Sequence, residues 1–523
     1  MPLSCAQPHY PEVSVCLTNS LWRAYRESNS PEPWWPGAAR VKRLQKLMLI
    51  LLLTAGALLI HGYHPFAEDA EIYLPGVERI LQPGLFASDA RFFEPYTHLS
   101  LFAPMIAASV RITYLKLDTV LFLWHLLSVF LFLLACRNLS EEFFASEKAR
   151  WASVILLAVL LTLPVAGTAL YVMDQYVNPR NFAAFAGVFA ITAILQKKYL
   201  FAGFWVCFAL ALHPLMGSFA LFLSVLLIMG EEIEATHLVT ACLLPASFLG
   251  ASSKRYQEAA RLHAFHYILD WRWYEWLGII APIAILWGFA VLAQKRKMPQ
   301  LHRMCRALTI YGSACFAGAL LISVPGNYGP LARLQPLRGL HLLYILLFLI
   351  IGGFLGEYIL RKHLWRWLIL FMFMPLALGM FLAQRSLFPA SAHIEWPGAE
   401  PRNPWARGFR WVHDHTETDA KFALDPNYLN IQQEDTNGFR AIAQRSKLAD
   451  AGKDSGAISM FPAMADQWWQ QVQAQKDWQH FSRSDFHRLQ TSYGVNWVIL
   501  ENHASPGLDC PYRNETIVVC RTP

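Results

Sequence analysis

Between about residue 44 and residue 384 the chain returns repeatedly to uninterrupted apolar segments of roughly 15 to 22 residues, the length at which a helix crosses a hydrocarbon layer ~30 Å thick. About eleven such spans can be counted by this criterion. No soluble core has room for so many. The composition agrees, since 55% of the 523 residues are hydrophobic and only 15% carry charge, with a mean hydropathy of +0.29. The expected fold class is therefore an all-α polytopic membrane bundle, and an ordinary soluble enzyme is excluded.

The two ends read differently. Residues 1–40 contain Pro, Ser and Glu without periodicity and run into the basic patch "RVKRLQK", so they are expected to be a disordered cytoplasmic leader. No small-x-small cleavage pattern follows the first apolar run, which is read as a retained helix. From about residue 391 the composition turns soluble. The expected division is a leader at 1–40, a transmembrane domain at 41–390 with a large external loop at 62–117, and an external soluble domain at 391–523.

Orientation follows from Lys and Arg in short loops, which stay on the cytoplasmic side. With the N-terminus inside, the inner loops contain Arg137, Lys148 and Arg150, then Lys197 and Lys198, then residues 294–303 and 361–366. This holds only if residues 98–115 lie along the outer interface; counted as a span, they would turn every later basic loop outward. The tail then lies outside, in a periplasm or lumen. The cysteines fit that compartment. Cys510 and Cys520 flank a predicted hairpin, where a disulfide suits an oxidising environment; the alternative is two free thiols. The net charge of +7 is concentrated in the leader and inner loops, so it reports topology and gives no argument for nucleic acid.

On the outer face the external loop carries "AEDAEIY", with Glu68, Asp69 and Glu71 close together. The next turn carries Asp174, Asn178 and Arg180. In "ALALHPLMG", His213 and Pro214 break an apolar run. Residues 252–276 have helical amphipathic spacing with Trp and Tyr, which predicts a helix lying on the membrane surface. Residues 325–340 bring Arg333 and Arg338 to the mouth of a span. One acid or arginine at a span end is ordinarily solvated or snorkelling. Acids and arginines gathered on one face suit a lipid-embedded phosphate, because arginine matches phosphate oxygens in a fork and a carboxylate can take a hydroxyl proton or hold a divalent cation. No Gly-rich phosphate loop, His-Glu-x-x-His or Cys-x-x-Cys occurs, so no nucleotide cofactor is expected. Ionisable groups are scarce in mid-span, which argues against an ion-coupled transporter.

The tail reads as a small α/β domain: a helix in "NPWARGFRWVHDHT", a short strand in "KFALD", helical material after "DQWW", and closing strands "VNWVILE" and "ETIVVCR". Its Asp425, Arg440 and Arg445 are expected to form structural ion pairs.

A first span with a basic flank, an acidic cluster in the loop after it, an interfacial helix, many further spans and an external C-terminal domain together resemble the GT-C superfamily. These are integral-membrane glycosyltransferases that use polyprenyl-phosphate sugars. The tail pattern "W…HT…DAKFALDP…GFRAIAQRS…YGVNWVIL" is similar to that of a poorly characterised bacterial branch. The resemblance implies an inverting transfer of a sugar from a polyprenyl-phosphate donor to a glycan, lipid or protein acceptor. It carries the catalytic role to Asp69 first and Glu68 second, where the family's Asp-x-Asp-type motif reads Glu-Asp-Ala-Glu. Glu71, Asp174, Arg180, His213, Arg333 and Arg338 are the expected substrate-binding residues. A divalent metal, Mg or Mn, would sit on Asp69 and Asp174. Two other readings use the same features: a transporter or flippase of a lipid-linked glycan, and a catalytically silent envelope scaffold.

Overall fold

A computed structural model describes residues 36–230, 253–323, 333–359, 363–431, 435, 437–502 and 507–523. Most of the leader and residues 231–252 and 324–332 fall outside the described residues. The first helix, α1, runs Pro36–His61, so its start lies inside the stretch read as leader.

Five helical stretches are long and apolar enough to cross a membrane: Val41–His61, Leu117–Phe143, Trp273–Lys295, Pro299–Ser323 and Pro336–Ile359. Shorter apolar helices include Phe102–Thr113, Pro179–Leu195, Tyr199–Leu212, Pro214–Met229 and Met372–Leu387. The chain is a multi-pass, mostly helical membrane protein. Eleven full spans are not what the described residues show. Hydropathy registers apolar content, whereas a chain break decides span length. At His213, the carbonyl-to-amide ladder stops between Tyr199–Leu212 and Pro214–Met229, because Pro214 opens the second helix and the His213 ring accepts from the Met216 amide. Close helix crossing is permitted by glycine at Gly352 and Gly356, four residues apart, where a Cβ would meet the backbone of Ser153 and Ala149.

After α1 come α2 (Ala70–Leu81), α3 (Glu94–Leu99) and α4 (Phe102–Thr113). The 12 residues of α4 rise about 18 Å, well short of the ~30 Å hydrocarbon core. Tyr114, in the left-handed region at φ 57°, stops it. α5 (Leu117–Phe143) follows, long and apolar enough to cross. Its first turn touches the tail, where Asp118 accepts from the Gly398 amide, and its far end carries Arg137 paired with Glu141 and Glu147.

The tail folds around a five-stranded mixed sheet, β1 (Lys421–Ala423), β2 (Ser446–Lys447), β3 (Trp497–Glu501), β4 (Tyr512–Arg513) and β5 (Ile517–Arg521), in the order β2-β1-β3-β5-β4. β1 pairs in parallel with β2 and β3, while β5 is antiparallel to β3 and β4. Alternation sends Phe422, Trp497, Ile499, Ile517 and Val519 to one core and Ala423, Val498, Leu500, Val518 and Cys520 to the other. Cys510 and Cys520 form a disulfide beside that second core. Helices cover both faces. One begins at Pro404, capped by Asn403, whose side chain accepts from the Ala406 amide.

Residues 252–276 do not form one surface helix. They make a short helix, Lys254–Arg261, followed by two 3-10 turns, and the next long helix begins at Trp273. The apolar face predicted to meet lipid meets protein: Tyr256 and Ala259 pack with Phe92, Ala449, Ile458 and Trp468. The amphipathic pattern is real, and its partner is the tail.

Candidate active site

α2 begins at Ala70, which makes Asp69 its N-cap. An N-cap aspartate normally accepts from an amide of the first turn. Here it makes no such bond, and its carboxylate faces outward from the helix start. Glu68 just before it adopts the left-handed region at φ 54°, an uncommon conformation for a residue with a Cβ.

Those two acids line a cavity of about 560 Å³. Asp174, Arg180, Arg338, His213, His263 and Lys453 line it too, together with apolar side chains such as Leu99, Leu212, Leu215 and Met460. Arg180 is the hinge of the acidic wall: its Nη1 donates to Asp69 at 2.9 Å while its Nε and Nη2 donate to Asp174 at 3.2 and 3.0 Å. Asn178 caps the Pro179–Leu195 helix and donates its side-chain amide to the same Asp174 oxygen at 2.6 Å. This Asn-Pro start therefore fixes both the helix and the acid beside it.

Lys453, at the N-terminus of a tail helix (Lys453–Met460), donates to Glu68 at 2.6 Å and to the second oxygen of Asp69 at 2.9 Å. Asp69 is thus held between two cations. Burial alone would lift its carboxyl, but the Lys453 ammonium and the Arg180 guanidinium outweigh that and keep it well below the usual carboxylate range. It is therefore held as an anion, and is a weak base.

Arg338 differs from these. Its guanidinium stacks over the Phe265 ring at 4.5 Å, its Nε is buried without a hydrogen-bond partner, and it forms no carboxylate pair among the described residues. An oxyanion entering the cavity would relieve both deficits.

Two residues expected at the site lie elsewhere. Arg333 turns to the Tyr256 ring, 6.0 Å away, and does not line the cavity. Gln335, in the left-handed region at φ 42°, reverses the chain between the two arginines and sends them apart. Glu71 is also outside. Residues i and i+2 on a helix do not share a face, so with Asp69 turned to the cavity Glu71 is buried on the other side. There it accepts from the Arg440 amide at 2.8 Å and pairs with Arg440 and Lys447 at 3.3 and 3.4 Å. Arg440 also donates to Asp89 at 2.6 Å and to both Asp454 oxygens at 3.0 Å, and Lys447 to Asp450 at 2.6 Å.

This second cluster holds four carboxylates against two cations. Burial, only partly opposed by Lys447 and Arg440, lifts Glu71 to about 7. The sign follows. The folded state holds a proton on Glu71 that the unfolded chain releases near pH ~4.3. Its contribution to stability is complete below that value and is lost as pH rises through about 7. Thermal unfolding in detergent should therefore show wild type losing several degrees relative to Glu71→Gln between pH 5 and 8. A difference that stays flat across that range would show that Glu71 is ionised throughout.

Sequence reasoning missed Lys453 and His263. Lys453 pairs across 384 residues, and nothing in "AGKDSG" marks it beyond a basic residue at a helix start. His263 bonds Ser455 at 2.9 Å and lines the cavity from the segment read as lipid-facing. Of the tail's other polar residues, Arg445 ties carbonyls of His413 and Thr416, and Asp425 accepts from the Asn427 amide in a turn.

A divalent metal does not fit the carboxylates as they stand. Both Asp69 oxygens are taken by fixed cations, the Asp174 Oδ2 accepts three bonds, and among the described residues no group of three His, Cys, Asp or Glu side chains converges.

No family model matches the chain and no curated protein matches its sequence. Among solved structures it is similar to the archaeal oligosaccharyltransferase AglB from Archaeoglobus fulgidus, in complex with an inhibitory peptide and a dolichol-phosphate. The TM-score is 0.48 at 11% identity, over 88% of this chain and 70% of that one. The Archaeoglobus fulgidus oligosaccharyltransferase in its apo form gives 0.44 at 12% identity, over 88% and 69%. The chemistry has to be argued from the cavity itself.

Proposed function

We propose that the protein is a membrane glycosyltransferase of the GT-C type, which moves a sugar from a polyprenyl-phosphate donor to an acceptor hydroxyl on the outer face of the membrane. One observation carries the reading: a single cavity combines a carboxylate held between two cations, an arginine that pairs with no carboxylate among the described residues, and apolar side chains. A lipid phosphate needs the last two. A nucleophilic hydroxyl needs the first.

In this reading Arg338 binds the donor phosphate and the apolar side takes the first isoprene units. The acceptor hydroxyl donates a hydrogen bond to Asp69. Its oxygen attacks the anomeric carbon from the face opposite the phosphate, the carbon–oxygen bond to phosphate breaks, and the electron pair leaves with lipid phosphate. The configuration inverts. Because Asp69 is a weak base, it takes the proton late, when the new bond has made that hydroxyl strongly acidic. The positive groups beside the leaving oxygen are already in place and need no reorganisation.

The test is release of free polyprenyl phosphate from a polyprenyl-phosphate sugar by purified protein in detergent, where transport cannot be scored. Release that requires an acceptor is expected. Arg338→Ala should raise KM for the donor roughly ten- to hundredfold, the worth of ~1.5–3 kcal/mol for a hydrogen bond to a charged group. Absence of release across acceptors, with donor still bound, would instead favour a carrier of lipid-linked glycan.

A further inference from the structure

Both carboxylate pairs that this cavity could offer to a divalent ion already have a cation on them: Arg180 joins Asp69 to Asp174, and Lys453 joins Asp69 to Glu68. Lys453 Nζ lies 2.6 Å from Glu68 and 2.9 Å from Asp69, between the two acids. A metal bridging that pair would have to occupy the same place. It would also meet Arg180, on the other oxygen of Asp69, and the charge of Arg338, which reaches the same carboxylate. Around the cavity three carboxylates face three protein cations, so a monoanionic phosphodiester enters a site near neutrality. A divalent ion would enter one with no charge left to satisfy.

The backbone holds the ammonium in position. The Lys453 amide donates to Asp450 at 2.6 Å, and the next residue, Asp454, is gripped at both oxygens by Arg440. Glu71 and Asp89, from the first external connection, hold the other side of that arginine. Lys453 is thus carried on one of the most firmly anchored turns of the tail, and only its last carbons need move. Mg²⁺ is rigid in geometry and reluctant to shed water; a lysine ammonium is a compact charge on a flexible stem. Such a group can leave Glu68 for a phosphate oxygen without leaving the site.

We propose that Lys453, supplied by the C-terminal domain, is the resident cation of this site. It stands where a divalent metal would bridge Glu68 and Asp69, and the site works without one. The inference rests on the glycosyltransferase reading only for its role in turnover, because the exclusion of metal can be read without any substrate.

The experiment is an electron-paramagnetic-resonance titration of Mn²⁺ into the purified full-length protein. Wild type should leave the Mn²⁺ signal that of the free ion up to millimolar metal. Lys453→Ala, and Lys453→Met, which keeps the stem length, should each take up one Mn²⁺, lost again when Asp69→Asn is added. Stoichiometric Mn²⁺ uptake by wild type that Asp69→Asn removes would overturn the proposal. So would failure of both folded Lys453 variants to bind, since the ammonium would then not be what occupies the place. Donor turnover, if found, should survive EDTA in wild type and fall in both variants. Turnover abolished by EDTA and restored by Mn²⁺ would also overturn it, whereas a protein inactive on every donor would remove the glycosyltransferase reading and leave the metal result standing.

Discussion

Asp69→Asn is expected to lower sugar transfer by about 10²- to 10⁴-fold, the range that loss of a positioned proton acceptor gives, while the protein remains folded. Both halves follow from geometry. The substitution keeps the volume and one acceptor oxygen of the side chain and turns the other position into a donor. Neither cation is stranded: Arg180 keeps Asp174 at 3.0 Å and Lys453 keeps Glu68 at 2.6 Å. What the variant loses is the anion that, in the proposed reaction, receives the acceptor's proton. The checks are a transfer assay with labelled donor beside size-exclusion and thermal-unfolding profiles. Full activity in a variant with a wild-type profile would remove Asp69 from the chemistry and pass the role to Glu68, the second acid on the cavity.

Replacing Arg440 with Met should have the largest effect on stability of any single change. The guanidinium is buried, with 1% of its side chain exposed, and three carboxylates from three parts of the chain close around it. A hydrophobic side chain of similar length fills the volume but leaves Glu71, Asp89 and Asp454 with only Lys447 among them. Breaking a buried ion cluster by removing one partner costs about 3–5 kcal/mol. Arg440→Lys should recover little, because one ammonium cannot serve Asp89 and both oxygens of Asp454 together. The measurements are the unfolding temperature in detergent and the rate at which protease cuts the tail. An unchanged unfolding temperature for Arg440→Met would show that the cluster is not what holds the tail to α2.

This arrangement changes what a truncation means. Deleting residues 400–523 removes Lys453, Arg440 and part of the cavity wall in one step, so lost function in that variant does not distinguish a scaffold from an enzyme. Point variants at Asp69 and Lys453 do.

The sequence made some of this legible and hid the rest for identifiable reasons. Apolar run length marks the membrane helices, and short continuous apolar runs rich in β-branched residues mark Trp497–Glu501 and Ile517–Arg521 as strands. Asp69, Asp174 and Arg180 stand out because charge is rare beside apolar segments, and all three line one cavity. Glu71 was equally conspicuous, but which way it points depends on where the helix starts. Arg333 and Arg338 look equivalent until the chain reverses at Gln335. The Lys254–Arg261 helix has an amphipathic face, and periodicity cannot say whether lipid or protein covers it. No local rule could reach Lys453, because its partners lie nearly four hundred residues earlier.

That separation sets an order in time. A ribosome releases Glu68, Asp69 and Arg180 long before it reaches Lys453. Through most of its synthesis the nascent protein therefore has these acids with Arg180 but without Lys453. On the proposed function, competence arrives only with the last quarter of the chain, and a half-made molecule would not spend donor lipid.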